Sequence, residues 1–473
     1  MALSKPSKII ICAFFVPVLV WVAASLYFTL AGRDISGDFT SDYLPAPQNL
    51  KPEENAYVAI REYAENLPSN STSFHVNYKL CRAYLDGTTN RLDLADEALA
   101  YVTAESNTIA VAKRILVSKG IEVPFEELFD ANANWYIGRL VRIANVYRVK
   151  ATYEAAQGDI AAGRKSLMDV YRIGRFFQTH DSLVLGISRI FGNYISCLAL
   201  DSAAKPLFAP DGDEAWRKKL RELTLASLDD DAEYAKIETR RALAGYIHAT
   251  VNDYTTNRLS RAKSIYGVHN LWEIAMSGKR LNDNRMDRIN GMESRFLGAL
   301  STACLGYDRY SFQPNRTLAL KRMELEEVCR KIDESTFDAG YAAKTNCFTI
   351  SRYARNWLGL RLFPTSTCRS SYRQLFVNRF GALARTAKLA CRSYKVKYGK
   401  YPETLSALVP EFLDGVLQDP YDGEALRYNA KDGFIWTRGE TLSFDGNVTI
   451  LGNGKPYFRN SSDRRCVIFL DKH

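Results

Sequence analysis

The alternation of apolar and polar positions changes character three times along this chain of 473 residues. From Ile9 to Gly32 there is no charged residue in 24 positions. As a helix that stretch rises roughly 36 Å, enough to cross the hydrocarbon core of a bilayer with some tilt. A polar linker with Pro45 and Pro47 follows over 34–51. Pro52-Glu53-Glu54 then opens a helix, with proline early and two acids at the positive end of the dipole. Ala56, Ile60, Tyr63 and Leu67 repeat at helical spacing behind it.

From about Asp93 to Pro206 the pattern is helical. Its clearest part carries the apolar stripe Ile137, Leu140, Ile143, Ala144, Tyr147, Ala151, Ala155, interrupted by Gly158-Asp159. Ala162, Leu167, Val170 and Ile173 start a second stripe, and two helices joined by so short a turn pack antiparallel. This junction resembles that of tetratricopeptide-like repeats, and more closely the helical ectodomains of uncharacterised bacterial membrane proteins. No 34-residue period continues through the chain, so an irregular bundle is expected over a solenoid.

The third change comes at Tyr372. Phe376, Phe380, Leu383, Ala387, Ala390, Tyr394 and Tyr398 share one helical face, while Arg385, Lys388, Arg392 and Lys395 share the opposite one. Gly399 and Pro402 end that helix. The turn Asp419-Pro420-Tyr421-Asp422-Gly423 and short strands near 426–428, 434–437, 448–451 and 466–470 complete an α+β unit.

The expected fold is therefore mainly α. It comprises a cytoplasmic N-terminus and transmembrane helix (1–33), a linker (34–51), an irregular helical bundle (52–368) and a small α+β module with an antiparallel sheet (369–473).

Charge flanking the first segment sets an orientation. Lys5 and Lys8 precede it, whereas Arg33 is followed by Asp34, Asp38 and Asp42, so the positive-inside bias leaves the N-terminus in the cytoplasm and the bulk outside. A cleaved secretory signal ending at Thr29-Leu30-Ala31 competes with the retained anchor, but the apolar run is longer than the 7–15 residues usual for a leader. Of nine cysteines, eight follow the span at wide spacing with no C-x-x-C pair, leaving both free thiols and disulfides open.

The strongest electrostatic feature lies between Ala339 and Pro402, which hold thirteen Lys and Arg and no acid. Since the whole chain carries a net +10, the remainder sums to −3. Arg385, Lys388, Arg392 and Lys395 are thus the candidate surface for an anionic partner, an acidic envelope polymer or protein, with nucleic acid not expected outside a membrane. Internal pairing with acids such as Asp229 to Asp231 is the competing reading. On the binding reading, reversing all four charges would weaken attachment and leave the module folded.

Signs of catalysis are sparse. Five histidines are scattered without metal spacing, and no G-x-S-x-G or G-x-x-x-x-G-K occurs. An envelope hydrolase with a site assembled from distant residues stays the alternative to a scaffold.

The terminal unit resembles the globular head of bacterial type II secretion major pseudopilins. The likeness rests on Tyr398-Gly399-Lys400-Tyr401-Pro402, Leu405, Leu408-Val409-Pro410, Asp419-Pro420-Tyr421-Asp422-Gly423, Tyr428, Gly439 and Asp445-Gly446. It implies a helix-to-sheet corner and a calcium site near the C-terminus, for which Asp445, with Asp419 or Asp422, occupies comparable places. The chain departs from that family at its start, because its apolar segment lacks the processing-site glutamate and lies about 340 residues from the head. Pilus assembly is therefore not implied. The reading as a whole is a single-pass protein of the bacterial inner membrane, contacting the bilayer through 9–32, with an extracytoplasmic scaffold or interaction role.

Overall fold

A computed structural model describes residues 18–27, 30–31, 33, 49–66, 95–123, 135–179, 187–229, 231–233, 235–236, 239–240, 313–334, 336–343, 366–440, 449–450, 456–457 and 466–470. They are mainly helical, with a small antiparallel sheet near the C-terminus. The chain divides into two compact units: residues 1–44 with 243–327 and 345–367, and residues 45–242 with 328–344 and 368–473.

In the first unit residues 18–27 are helical. Val18, Leu19, Val20, Trp21, Val22, Leu26, Tyr27 and Leu30 are exposed, whereas Ser25 is buried. Gln313, fully buried, donates from Nε2 to the Ala31 carbonyl at 2.9 Å. Among the described residues no helix is long and apolar enough to cross a membrane. The expected span over 9–32 lies in part outside the described residues.

The second unit is built on consecutive helices. A 3-10 turn at Pro52–Glu54 leads into α1 (Ala56–Glu65), whose cap is Asn55, accepting from Tyr57 N at 3.0 Å. The next helices are α2 (Ala95–Ala104), α3 (Ser106–Val117), α4 (Trp135–Ala156), α5 (Ile160–Thr179), α6 (Ile187–Ala203) and α7 (Glu214–Ala226). The stripes foreseen in α4 and α5 are buried, with Leu140, Ile143, Ala144, Tyr147, Leu167, Val170 and Ile173 in one core. Between these helices Gly158 takes φ +93°, and Asp159 Oδ1 caps α5 by accepting from Ala162 N at 2.9 Å.

α5 and α6 approach so closely that a Cβ on Gly174 would lie 2.6 Å from both the Gly192 carbonyl and the Ser196 nitrogen. α8 (Pro314–Asp333), which belongs to this unit from Val328 onward, and the short α9 (Ala339–Ala343) follow. Then comes the 33-residue α10 (Ser366–Tyr398).

α10 buries two stripes. The expected one is present in part: Phe376, Phe380, Ala387 and Ala390 are buried, with Tyr372 before them, while Leu383 and Tyr394 are half-buried and Tyr398 is exposed. Leu375, Ala382, Thr386, Leu389 and Ser393 form a second, all at most 5 % exposed, and Leu389 joins the core of α1 to α7. The terminal module is therefore not a separate body: its helix is a wall of the bundle. At the start of α10 Phe337, Tyr341, Tyr372, Phe376 and Tyr421 pack with ring centroids 4.9–5.9 Å apart, tying α9 and the Tyr421 turn to the helix.

The strands foreseen from sequence pair antiparallel in the order β1-β2-β5, with β1 (Arg427–Asn429), β2 (Phe434–Trp436) and β5 (Val467–Phe469). Ile435 faces Tyr428 on one side and Ile468 on the other. A separate pair joins β3 (Thr449–Ile450) to β4 (Pro456–Tyr457), the latter not foreseen.

Cys197, Cys329, Cys391 and Cys466 are free thiols. Burial pushes the Cys391 thiol up to about 12 from 9.0. Tyr147, buried and near Asp169 and Glu154, also rises to about 12 from 10.0. The unfolded chain releases these protons near pH 9 and 10, so between pH 9 and 12 the folded state binds more protons and loses stability as pH rises. We expect the urea midpoint to fall from pH 8 to pH 10.5, on the order of 2 kcal/mol from these two groups. The Cys391→Ala variant should show a shallower slope; an unchanged slope would remove the thiol as a cause.

Candidate functional site

The four basic residues singled out in α10 do not form an open surface. Arg385 Nε donates to Asp201 Oδ1 of α6 at 3.0 Å, and its side chain is 24 % exposed. Lys388 Nζ donates to the Phe469 carbonyl of β5 at 2.6 Å. Arg392 Nη1 donates to the Ala204 carbonyl at 2.6 Å, just past the end of α6, where a cation meets the negative end of the helix dipole. Only Lys395 is exposed, with its ammonium 4.3 Å from the centre of the Tyr401 ring.

Elsewhere on the helix Arg379 lies 3.8 Å from Asp231, one of the acids expected to compete for this face. Arg385, Lys388 and Arg392 thus bind the module to α6 and to the sheet. Reversing all four charges is therefore expected to unfold the module: Arg385→Glu sets a second carboxylate against Asp201, and Lys388→Glu and Arg392→Glu place acids beside backbone carbonyls. Lys395→Glu alone should change stability by less than about 0.5 kcal/mol. Circular dichroism melts of the two variants check both outcomes, and a quadruple variant that melts like the wild type would reject the contacts.

The aspartates linked to calcium are occupied otherwise. Asp419, 1 % exposed, accepts through Oδ1 from Tyr421 N at 3.0 Å and Thr437 Oγ1 at 2.6 Å. Its Oδ2 accepts from Arg427 Nη1 at 2.7 Å and Arg438 N at 3.3 Å. Asp422 Oδ2 accepts from Arg427 Nη2 at 2.5 Å and Oδ1 from Glu424 N at 3.1 Å. Burial alone would raise the Asp422 carboxyl, but Arg427 and the Glu424 amide outweigh it and hold it below the usual carboxylate range. A guanidinium therefore bridges the two carboxylates, and a calcium ion needing six to eight oxygens does not fit this arrangement. Asp445 lies outside the described residues, as do all five histidines. Among the described residues no three His, Cys, Asp or Glu side chains are grouped to hold a metal.

What the structure gathers instead is a polar cleft where α5, α6, the end of α7 and α10 meet. The glycine crossing of α5 and α6 brings Arg175 and Gln178 beside Asn193 and Cys197. Arg175 Nη1 donates to Gln178 Oε1 at 2.9 Å, and Gln178 Nε2 donates to Asn193 Oδ1 at 3.0 Å. Asp231, Asn378 and Arg385 face the same space, which measures about 20 Å³ at a water's centre. That is room for one or two water-sized groups.

Cys197 sits among them, but burial first raises its thiol, only partly countered by Arg385, so a thiolate nucleophile is disfavoured. Of the residues proposed from sequence only Arg385 reaches this cleft. Arg175 was missed because one arginine in an amphipathic helix carries no motif, although its position directly after a buried glycine marks a close helix crossing.

Comparison with models of protein families, with curated proteins and with solved structures finds no match to this chain.

Proposed function

We propose that this chain is a single-pass, membrane-anchored scaffold or interaction protein of the bacterial envelope. Its N-terminus lies in the cytoplasm and its helical bundle and pilin-like module lie outside. The observation that carries the proposal is the exposed apolar surface of residues 18–27 and Leu30. Eight large apolar side chains there are 43–64 % exposed, while Ser25 turns inward. A run of that kind gains nothing from water and is stable against hydrocarbon. The flanking lysines and the acids after Arg33 supply the orientation.

The body of the protein supports display over catalysis: α10 fuses the module to the bundle, and the polar cleft is narrow, with its thiol held protonated. No specific observation favours the hydrolase. The pseudopilin likeness of the module enters this reading as a family resemblance in the turn and strand residues, with Arg427 standing between the carboxylates where a calcium ion was expected.

C-terminal fusions test the topology. Alkaline phosphatase at the C-terminus should be active and a green fluorescent protein fusion dark, and the chain should resist carbonate extraction from membranes. Recovery of the intact chain in the soluble cytosol would reject the proposal, and a mature product starting after Ala31 would replace the anchor by a leader.

A further inference from the structure

We propose that the cleft between α5, α6, α7 and α10 binds a small monocarboxylate, with Arg175 as its principal recognising group. The inference does not depend on membrane anchoring, since every lining residue belongs to one compact unit.

The first reason is charge. Arg175, Arg385 and Asp231 line the cleft, and Asp201 and Arg379 stand behind them as the ion-pair partners of Arg385 and Asp231. Arg385 is matched by Asp201 at 3.0 Å and Arg379 by Asp231 at 3.8 Å. Arg175 is left with a neutral partner, the Gln178 amide, and among the described residues no carboxylate pairs with it. A half-buried guanidinium whose partner is a neutral amide recovers only part of its lost hydration, so an anion entering the cleft restores the balance.

The second reason is shape. Arginine presents a planar fork of donors that meets a carboxylate through two parallel hydrogen bonds. The side-chain amides of Asn193 and Asn378 supply further donors on the walls, whereas the hydroxyls of Ser196, Thr224 and Ser227 donate to backbone carbonyls. The third reason is size: a space for one or two water-sized groups suits the two oxygens of a carboxylate better than the larger tetrahedron of a phosphate.

The test uses the full chain in detergent. Thermal unfolding is followed in sodium formate and sodium acetate against sodium chloride and sodium phosphate at matched ionic strength. Formate and acetate should raise Tm saturably by about 3 °C, with half the effect at millimolar concentration, and chloride and phosphate should not. Arg175→Met should lose at least about nine-tenths of that rise, and Arg175→Lys, which keeps charge without the fork, should retain part of it. Should Arg175→Met fail to fold, the carbon-13 line of labelled formate, broadened by the wild-type chain and sharpened again by excess acetate, gives the same answer. Equal shifts in all four salts, an unchanged rise in Arg175→Met, or a formate line that stays sharp would each overturn the assignment.

Discussion

Replacing Gly174 with alanine should cost the folded chain about 3 kcal/mol, more than most single substitutions. The added methyl would press on Ser196 Oγ and sit 2.6 Å from both the Gly192 carbonyl and the Ser196 nitrogen. A side chain can rotate away from an intruding methyl, but the backbone of a neighbouring helix cannot. Relief therefore requires α5 and α6 to separate along their whole crossing, with loss of contacts made by Ile195, Ala199, Val170 and Phe177 in the shared core. The melting temperature should fall by about 5–10 °C. Gly212→Ala is the control, because nothing lies within 4 Å of its added methyl, and it should stay within about 0.5 kcal/mol of the wild type. Equal melting of the two variants would mean that the helices do not cross at Gly174.

The second large effect is expected at the junction of α7 with α10. Arg217 and Arg221 are 3 % and 6 % exposed, and both donate to Ser393 Oγ, at 3.2 and 3.1 Å. They also hold Glu214, at 3.0 and 2.8 Å, while Arg217 reaches the carbonyls of Pro210 and Asp211 at 2.9 and 2.7 Å. Burial would raise the Glu214 carboxyl, but donors from Ser393, Arg221 and Arg217 outweigh it and hold it below its ordinary 4.5.

Removing Arg217 leaves two carbonyls and part of a carboxylate without donors, so Arg217→Ala should cost about 3–5 kcal/mol. Ser393→Ala should cost about 1–2 kcal/mol, and combining the two should fall short of their sum by about 1 kcal/mol because they share a contact. Strict additivity in denaturant titrations would break the proposed link between the helices. The lowered Glu214 carboxyl adds a sign: its contribution is present above about pH 4.5 and is lost as pH falls further. Below that pH the wild type should therefore lose stability more steeply than Glu214→Gln.

Much of this architecture was legible in the residues, for identifiable reasons. The α4 and α5 stripes and the Gly158-Asp159 break were readable because each depends on one helix and one turn. The sheet strands followed from β-branched and aromatic runs set between turns that contain glycine and proline. The fate of the basic face in α10 was not readable from charge, because periodicity defines a polar face without saying what lies against it. A sign was nonetheless present beside it. Leu375, Ala382, Thr386, Leu389 and Ser393 recur at intervals of seven, four, three and four, a second helical stripe in small and apolar residues. A helix with two such stripes is enclosed on two sides, and cations caught between them find internal partners. The cleft was invisible for a related reason: Arg175 and Arg385 are 210 positions apart, and only the crossing of α5, α6 and α10 brings them to one space.

The position of α10 in the chain constrains biosynthesis. Ser393 and Leu389 complete contacts begun by residues synthesised more than 160 positions earlier, so the bundle stays unfinished until most of the polypeptide has left the ribosome. On the proposed topology the chain threads through a translocon, and late closure is then useful: the bundle is not complete before its last helix passes. A stop codon placed before α10 should accordingly yield a product prone to degradation, not a smaller working protein.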